Sequence, residues 1–531
     1  MNADEGCAGA GPPDSPSAGV PSRRRAEWVV AGAIAAAAGA AVLLATRQGP
    51  LLSPDSVTYL ATAEHLRSGG GFTDFTGEPM TVFGPVYPLL LAPGGTSLGW
   101  VRTVGAAGTA AVALTFFALA RRRTTAVIAL VATAVVALAA STVWVGSTAW
   151  SETTYTAIGL GMLVVLTGGR PTPRRVAAAG VLAGLGFLTR YAGAGLVLTG
   201  AIALLVGRTE GSTWRTRARS VVVFGVAAAA TVVPWVARNL AATGEALGPR
   251  FSGGAADDLP TLLHRPITAL GRVVTGEHRD GALVSSVGWI TVVAIVFAVA
   301  WLAWRLVRRR DIRTLDAAAV ALATTCVIVP LVARALTAND IEQRVMSPTL
   351  SALALLGVIA VDAARAARAR GVRLVVPALA VALALVSVVR GADEVDDLPR
   401  LLWGSSANRE VYSPQLHDAI DALPPGIHLL TNNPQRVWWQ HRREPTLFAF
   451  TRPRAGNSHY PLPAADVLDL ACDGDTYLAW FVGLANAGEG PEERRPDLLR
   501  VVRLDPVREV AGGTLYEVLP LDPTACPARS T

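Results

Sequence analysis

With 531 residues, 51% of them hydrophobic and only 16% charged, and a mean hydropathy of +0.41, the chain is too apolar for a soluble enzyme on one anchor. It reads as a polytopic α-helical membrane protein. The formal net charge of +7 argues for no polyanionic partner and no nucleic acid, because the 47 basic residues are all arginines, many of them gathered in short segments between apolar runs.

Residues 1–25 are rich in Gly, Pro, Ser and Ala without an apolar period and end in Arg23-Arg24-Arg25, which predicts a disordered cytoplasmic tail. The apolar run 28–45 has no small-residue cleavage site in the right place, so it is expected to stay as a first membrane helix. Ten further spans are expected near 99–120, 124–141, 150–167, 176–189, 191–206, 220–237, 284–306, 314–333, 346–362 and 373–390.

The run 176–206 is too short for two crossings of about 20 residues and too long for one. Charge decides between them. The arginine clusters at 23–25, 121–123, 170–175, 208–219, 305–313 and 365–373 share one side only if this run enters and returns as two short helices. Eleven spans then put three regions outside the cytoplasm together: a first loop (47–98), a second near 238–283, and a tail from 391 onward. The expected organisation is a tail (1–25), a membrane catalytic domain (26–390) and an extracytoplasmic α/β domain (391–531). The last has apolar runs at 428–431, 476–481, 499–504 and 514–519 as strands, with a helix at 413–423.

Four cysteines are present, Cys7, Cys326, Cys472 and Cys526, and no pair has C-x-x-C spacing, which leaves a zinc site unsupported. Cys472 and Cys526 share the C-terminal region, so a disulfide is expected there; two unrelated thiols is the alternative. The loop 238–283 contains Asp257-Asp258, His264 and His278 without ligand spacing. Trp438-Trp439 could stack on a sugar or fill a core.

The first loop is richest in chemistry: Asp55, Tyr59, His65, Asp74, Glu78 and Tyr87. Pro54 opens an amphipathic helix that Ser53 to Asp55 can cap, and Gly69-Gly70-Gly71 ends it. A second amphipathic piece, 85–91, returns to the membrane. Outside the loop, Glu152 stands at the start of a span, Arg190 interrupts an apolar run, Arg238 follows Pro234-Trp235, and Arg344 precedes the tenth span. An ionised group at membrane depth marks a functional site by default. Each also has a plainer reading: Asp55 as a helix cap, Glu152 as a solvated helix start, Asp74 and Glu78 as solvated loop acids, Arg190 snorkelling, and Arg238 at a helix C-terminus.

Taken together, the Asp55, Tyr59-Leu60, Ala63 pattern, Gly69 to Phe72, and Pro85-Val86-Tyr87-Pro88-Leu89-Leu90 resemble the first loop of GT-C glycosyltransferases. The likeness is to the lipid-linked-sugar enzymes related to protein O-mannosyltransferases and aminoarabinose transferases, and it covers residues 28 to about 362. It implies a polyprenyl-phosphate sugar as donor, a glycan, lipid or protein hydroxyl as acceptor, and transfer with inversion on the extracytoplasmic face of the cell membrane. It implies Asp55 as catalytic base, Glu152 as its partner, and Arg190 and Arg344 on the phosphate, with Tyr59, Glu78, Tyr87 and Arg238 as further substrate-binding candidates. Two departures stand out: no tyrosine follows Arg344, and Gly84-Pro85 replaces a Pro-Pro. No cofactor is required, and a divalent cation is compatible with the loop acids but demanded by nothing. A polyprenyl-lipid translocase or a non-catalytic envelope-assembly protein are the rival readings.

Overall fold

The computed structural model describes residues 20–208, 212–248, 259–276, 281–308, 312–337, 341–365, 378, 385–386, 389–398, 413–448, 462–482 and 490–526. Chain order gives helices α1 (Val20–Ala45), α2 (Pro54–Ser68), α3 (Val86–Leu91), α4 (Leu98–Ala120), α5 (Ala126–Leu138), α6 (Ala140–Ser147), α7 (Glu152–Thr167), α8 (Pro173–Thr189), α9 (Ala194–Val206), α10 (Trp214–Thr243), α11 (Leu259–Thr275), α12 (Ala282–Val307), α13 (Thr314–Thr337), α14 (Gln343–Met346) and α15 (Pro348–Arg365). Among the described residues six helices are long and apolar enough to cross a membrane, or seven if α5 and α6, bent by 48°, form one span. The chain is a multi-pass membrane protein. Most of the expected span at 373–390 lies outside the described residues.

The ends of the bundle differ in their chemistry. At one end Arg121 holds Glu27 at 2.7 Å, Arg123 pairs with Asp316 at 3.0 Å and with Asp362, and Arg122 caps the end of α7 through the Val164 carbonyl at 2.7 Å. Arg217 donates to the Leu205 carbonyl at 2.7 Å, and the Arg208 amide to that of Ile312 at 2.9 Å. Arginines near helix C-termini answer unpaired carbonyls and the macrodipole. The run 176–206 does enter and return: α8 stops at Arg190, whose backbone is extended (φ −150°, ψ 135°), and α9 leads back to Gly207 beside Thr314. The turn between them needs Gly193, where any Cβ would collide with the Phe187 amide nitrogen.

The other end carries the first loop. Ser53 caps α2 with a capping box, and Gly69 ends it at φ +87°. Also at this end lies α11, which the sequence reading left in a loop. It packs Ile267, Leu270 and Val273 inward, and Gly271 and Gly288 bring it close to α12.

The C-terminal unit is a sheet of β1 (His428–Thr431), β2 (Thr446–Leu447), β3 (Thr476–Phe481), β4 (Val502–Val510) and β5 (Gly513–Pro520), ordered β2-β1-β3-β5-β4. The β2-β1-β3 pairings are parallel, and β5 runs antiparallel to both β3 and β4. Helices α16 (Pro414–Asp421) and α17 (Pro434–His441) cover one face and α18 (Ala464–Asp473) the other. The expected segments 428–431 and 476–481 are strands and 514–519 lies within β5, but of 499–504 only the second half enters β4, because Leu498–Arg500 forms a 3-10 turn.

Trp438 and Trp439 of α17 sit in one apolar cluster with Val57 and Leu60 of α2, so they join the unit to the first loop instead of facing solvent. Arg442 lies over both rings at 4.7 and 4.3 Å, and His65 meets Trp438 edge-on at 6.3 Å.

Cys472 and Cys526 form a disulfide across 54 residues, tying α18 to the end of the chain. Closing a loop of that length is worth about 4 kcal/mol by chain entropy. Cys472→Ser should therefore lower the stability of the C-terminal unit by a few kcal/mol (about 2–5) without unfolding the helical bundle. Limited proteolysis under reducing and non-reducing conditions reads both.

Candidate active site

Ser53 and not Asp55 is the N-cap of α2: the Ser56 amide donates to Ser53 Oγ at 3.3 Å, and the Ser53 amide to Ser56 Oγ at 3.0 Å. The Asp55 carboxylate is thereby left to other partners. Arg344 Nη1 donates to Asp55 Oδ2 at 2.6 Å, across 289 positions of sequence. The same guanidinium gives its Nε to Glu342 at 2.9 Å and lies over the Trp150 ring, 4.8 Å from its centre. Charge-assisted bonds of this kind are the strong ones.

A second pair lies alongside. Glu152 is 1% exposed, in ion-pair contact with Arg190, and its carboxylate accepts no other hydrogen bond among the described residues. Arg190 reaches it because the chain breaks helix at that residue and projects the side chain from the α8–α9 turn.

Between the pairs stand two buried phenols. Tyr59 OH lies 3.3 Å from Ser151 Oγ, and its ring packs on Tyr87 at 5.0 Å and Phe83 at 4.8 Å. Burial pushes the Tyr59 phenol well above its ordinary value; Arg190 opposes the rise, and Asp55 and Glu152 add to it. Burial raises Tyr87 likewise, with Tyr59 and Glu152 adding. Both are neutral phenols at any physiological pH.

One short segment frames all of this. Leu51 pairs with Thr148 as a parallel bridge, the Ala149 amide donating to the Leu51 carbonyl at 3.0 Å. The next three residues each hold a different part of the site: Trp150 lies under Arg344, Ser151 meets Tyr59, and Glu152 meets Arg190. The sequence reading missed Trp150 and Glu342, whose only signal was adjacency to Glu152 and Arg344.

Arg238 and Glu78 take other places. Arg238 donates to the Phe72 and Met80 carbonyls at 2.8 Å each and lies over Trp235 at 5.0 Å, gripping the first loop by its backbone. Asn239 and Trp235 both bond Tyr191 OH, at 3.2 and 3.1 Å, and that hydroxyl donates to the Thr81 carbonyl at 2.6 Å. Glu78 is exposed on the loop; Asp74 is buried and accepts from the Thr76 amide and hydroxyl at 2.8 and 2.7 Å. Gly84 rests on the end of α8, where a side chain would collide with the Leu188 carbonyl oxygen, so the departure from Pro-Pro is matched by the packing.

A narrow cleft with room for about one water is lined by Tyr155, Thr156, Gly159, Leu160, Leu196, Leu322, Pro348 and Ser351, and its exposed lining is mostly apolar. Among the described residues no group of three His, Cys, Asp or Glu side chains is placed to hold a metal ion. His264 is exposed, while Asp257, Asp258 and His278 lie outside the described residues.

The fold that carries these pairs has counterparts among solved structures. ArnT from Cupriavidus metallidurans bound to undecaprenyl phosphate superposes with a TM-score of 0.60 at 14% identity, over 92% of this chain and 98% of that one. The chain shares the fold of ArnT. The archaeal oligosaccharyltransferase AglB from Archaeoglobus fulgidus, in complex with an inhibitory peptide and a dolichol-phosphate, matches with a TM-score of 0.53 at 12% identity, over 93% and 74% of the two chains. No family model and no curated protein matches the sequence.

Proposed function

We propose that this chain is a glycosyltransferase that moves a sugar from a polyprenyl-phosphate donor to an acceptor hydroxyl, with inversion at the anomeric carbon. The observation that carries the reading is the pairing of Asp55 with Arg344 and of Glu152 with Arg190 around the buried Tyr59. Asp55 takes the proton of the acceptor O–H, the freed oxygen attacks the anomeric carbon, and the bond from that carbon to the phosphate oxygen breaks. The departing polyprenyl phosphate keeps the electron pair, and Arg344 and Arg190 stabilise its charge. Glu152 holds Arg190 in place, and the neutral Tyr59 and Tyr87 phenols bear on the sugar. Arg238 serves the site by fixing the first loop. Neither metal nor nucleotide is needed for this sequence of events.

A lipid-borne donor is in keeping with the undecaprenyl phosphate in ArnT and the dolichol-phosphate in AglB. The positive-inside rule assigns the arginine-rich end to the cytoplasm, with eleven spans in all. The reaction then takes place outside the cytoplasm, between a membrane domain (26–390) and an α/β domain (391–531).

The test is incubation of the purified protein in detergent with radiolabelled polyprenyl-phosphate sugars and lipid or glycan acceptors, with and without EDTA. EDTA-insensitive transfer is expected. Absence of transfer there, together with movement of lipid carrier between leaflets by the same protein in liposomes, would favour the translocase instead.

A further inference from the structure

We infer that Trp150 is a positioning residue that sets the phosphate-binding arginine and the catalytic base in register with one another. The inference rests on the glycosyl-transfer reading above and adds a residue to it. Trp150 is 7% exposed, and its two polar functions point to the two halves of the site. The face of its indole carries the Arg344 guanidinium, 4.8 Å from the ring centre. Its Nε1–H donates to Ser53 Oγ at 2.7 Å, the atom that caps α2 two residues before Asp55.

A cation over a desolvated indole gains attraction while keeping its N–H edge free, so Arg344 is oriented without spending the donors a phosphate needs. The ring is itself fixed. Trp144 meets it edge-on at 4.9 Å, and the backbone bridge between Leu51 and Thr148 anchors the segment on both sides. When a phosphate draws Arg344 away from Asp55, the ring keeps the guanidinium in plane and the Ser53 bond keeps the base where it was.

The two functions separate by substitution in the full-length protein. Trp150→Leu removes both, Trp150→Phe keeps an aromatic face and drops the N–H, and Ser53→Ala removes the acceptor of that N–H. Undecaprenyl phosphate binding in mixed micelles and the kcat and KM for transfer are the readouts. Trp150→Leu is expected to weaken undecaprenyl phosphate binding about tenfold. Trp150→Phe is expected to stay within about threefold in binding yet lose about tenfold in kcat, and Ser53→Ala to share that kcat loss.

Should Trp150→Leu fail to fold, the Phe and Ala variants still decide the matter. Wild-type kcat in both of them overturns the inference, as does a folded Trp150→Leu with wild-type affinity. A loss of affinity in Trp150→Phe as large as in Trp150→Leu overturns it too. Wild-type protein that neither binds undecaprenyl phosphate nor transfers sugar overturns the functional reading first, and this inference with it.

Discussion

Asp55→Asn is expected to lower sugar transfer by about 10²–10⁴-fold while tightening the binding of polyprenyl phosphate. The first effect follows from the general-base role proposed above for Asp55. The second follows from geometry, because the carboxylate facing Arg344 at 2.6 Å competes with any phosphate for the same Nη1 donor. An asparagine gives up the charge and leaves the arginine more open to the lipid. A purely structural Asp55 would show the opposite: weaker binding, lower stability, and transfer reduced only in proportion. Equilibrium binding of polyprenyl phosphate beside single-turnover transfer distinguishes the two. The same competition implies an order of events in which the donor phosphate first draws Arg344 off Asp55 and so exposes the base to the acceptor.

Arg190→Leu should be the most destabilising single change in the site. It would leave Glu152, 1% exposed, as an unpaired buried charge, at a cost of about 3–5 kcal/mol. Transfer is expected to fall at least about 10²-fold with loss of the cation for the leaving phosphate. The double variant Arg190→Leu with Glu152→Leu removes both charges, so it should recover most of the stability and none of the activity. Denaturant titration in detergent, run beside the transfer assay, checks the separation. If the double variant is as unstable as the single one, the ion pair is not the source of the loss.

Much of the bundle was legible because the physics that writes it is local. Apolar runs, arginine clusters and the Arg190 break fixed the in-and-out path of α8 and α9, and strands such as 476–481 show as short apolar runs between turn residues. The helix α11 was not read, because Pro266 and the lack of a long apolar run hid an amphipathic period that serves the bundle's edge. The site was legible as a set of residue types and not as a set of partners. Asp55 and Arg344 are 289 positions apart, so no spacing rule links them. The role of Ser53 as cap, which frees Asp55, depended on which of two competent residues, Ser53 or Asp55, took the extended backbone. Trp150 gave no signal of its own, since an aromatic near a span end is expected at any membrane interface.

The docking of α17 on α2 has a practical meaning. Trp438 and Trp439 share a core with Val57 and Leu60, so the sheet and the base-bearing helix are coupled as a lever is to its pin. An antibody fragment that tilts the sheet would rotate Asp55 with it. Inhibition is then within reach of a large, water-soluble binder that never touches Asp55 or Arg344.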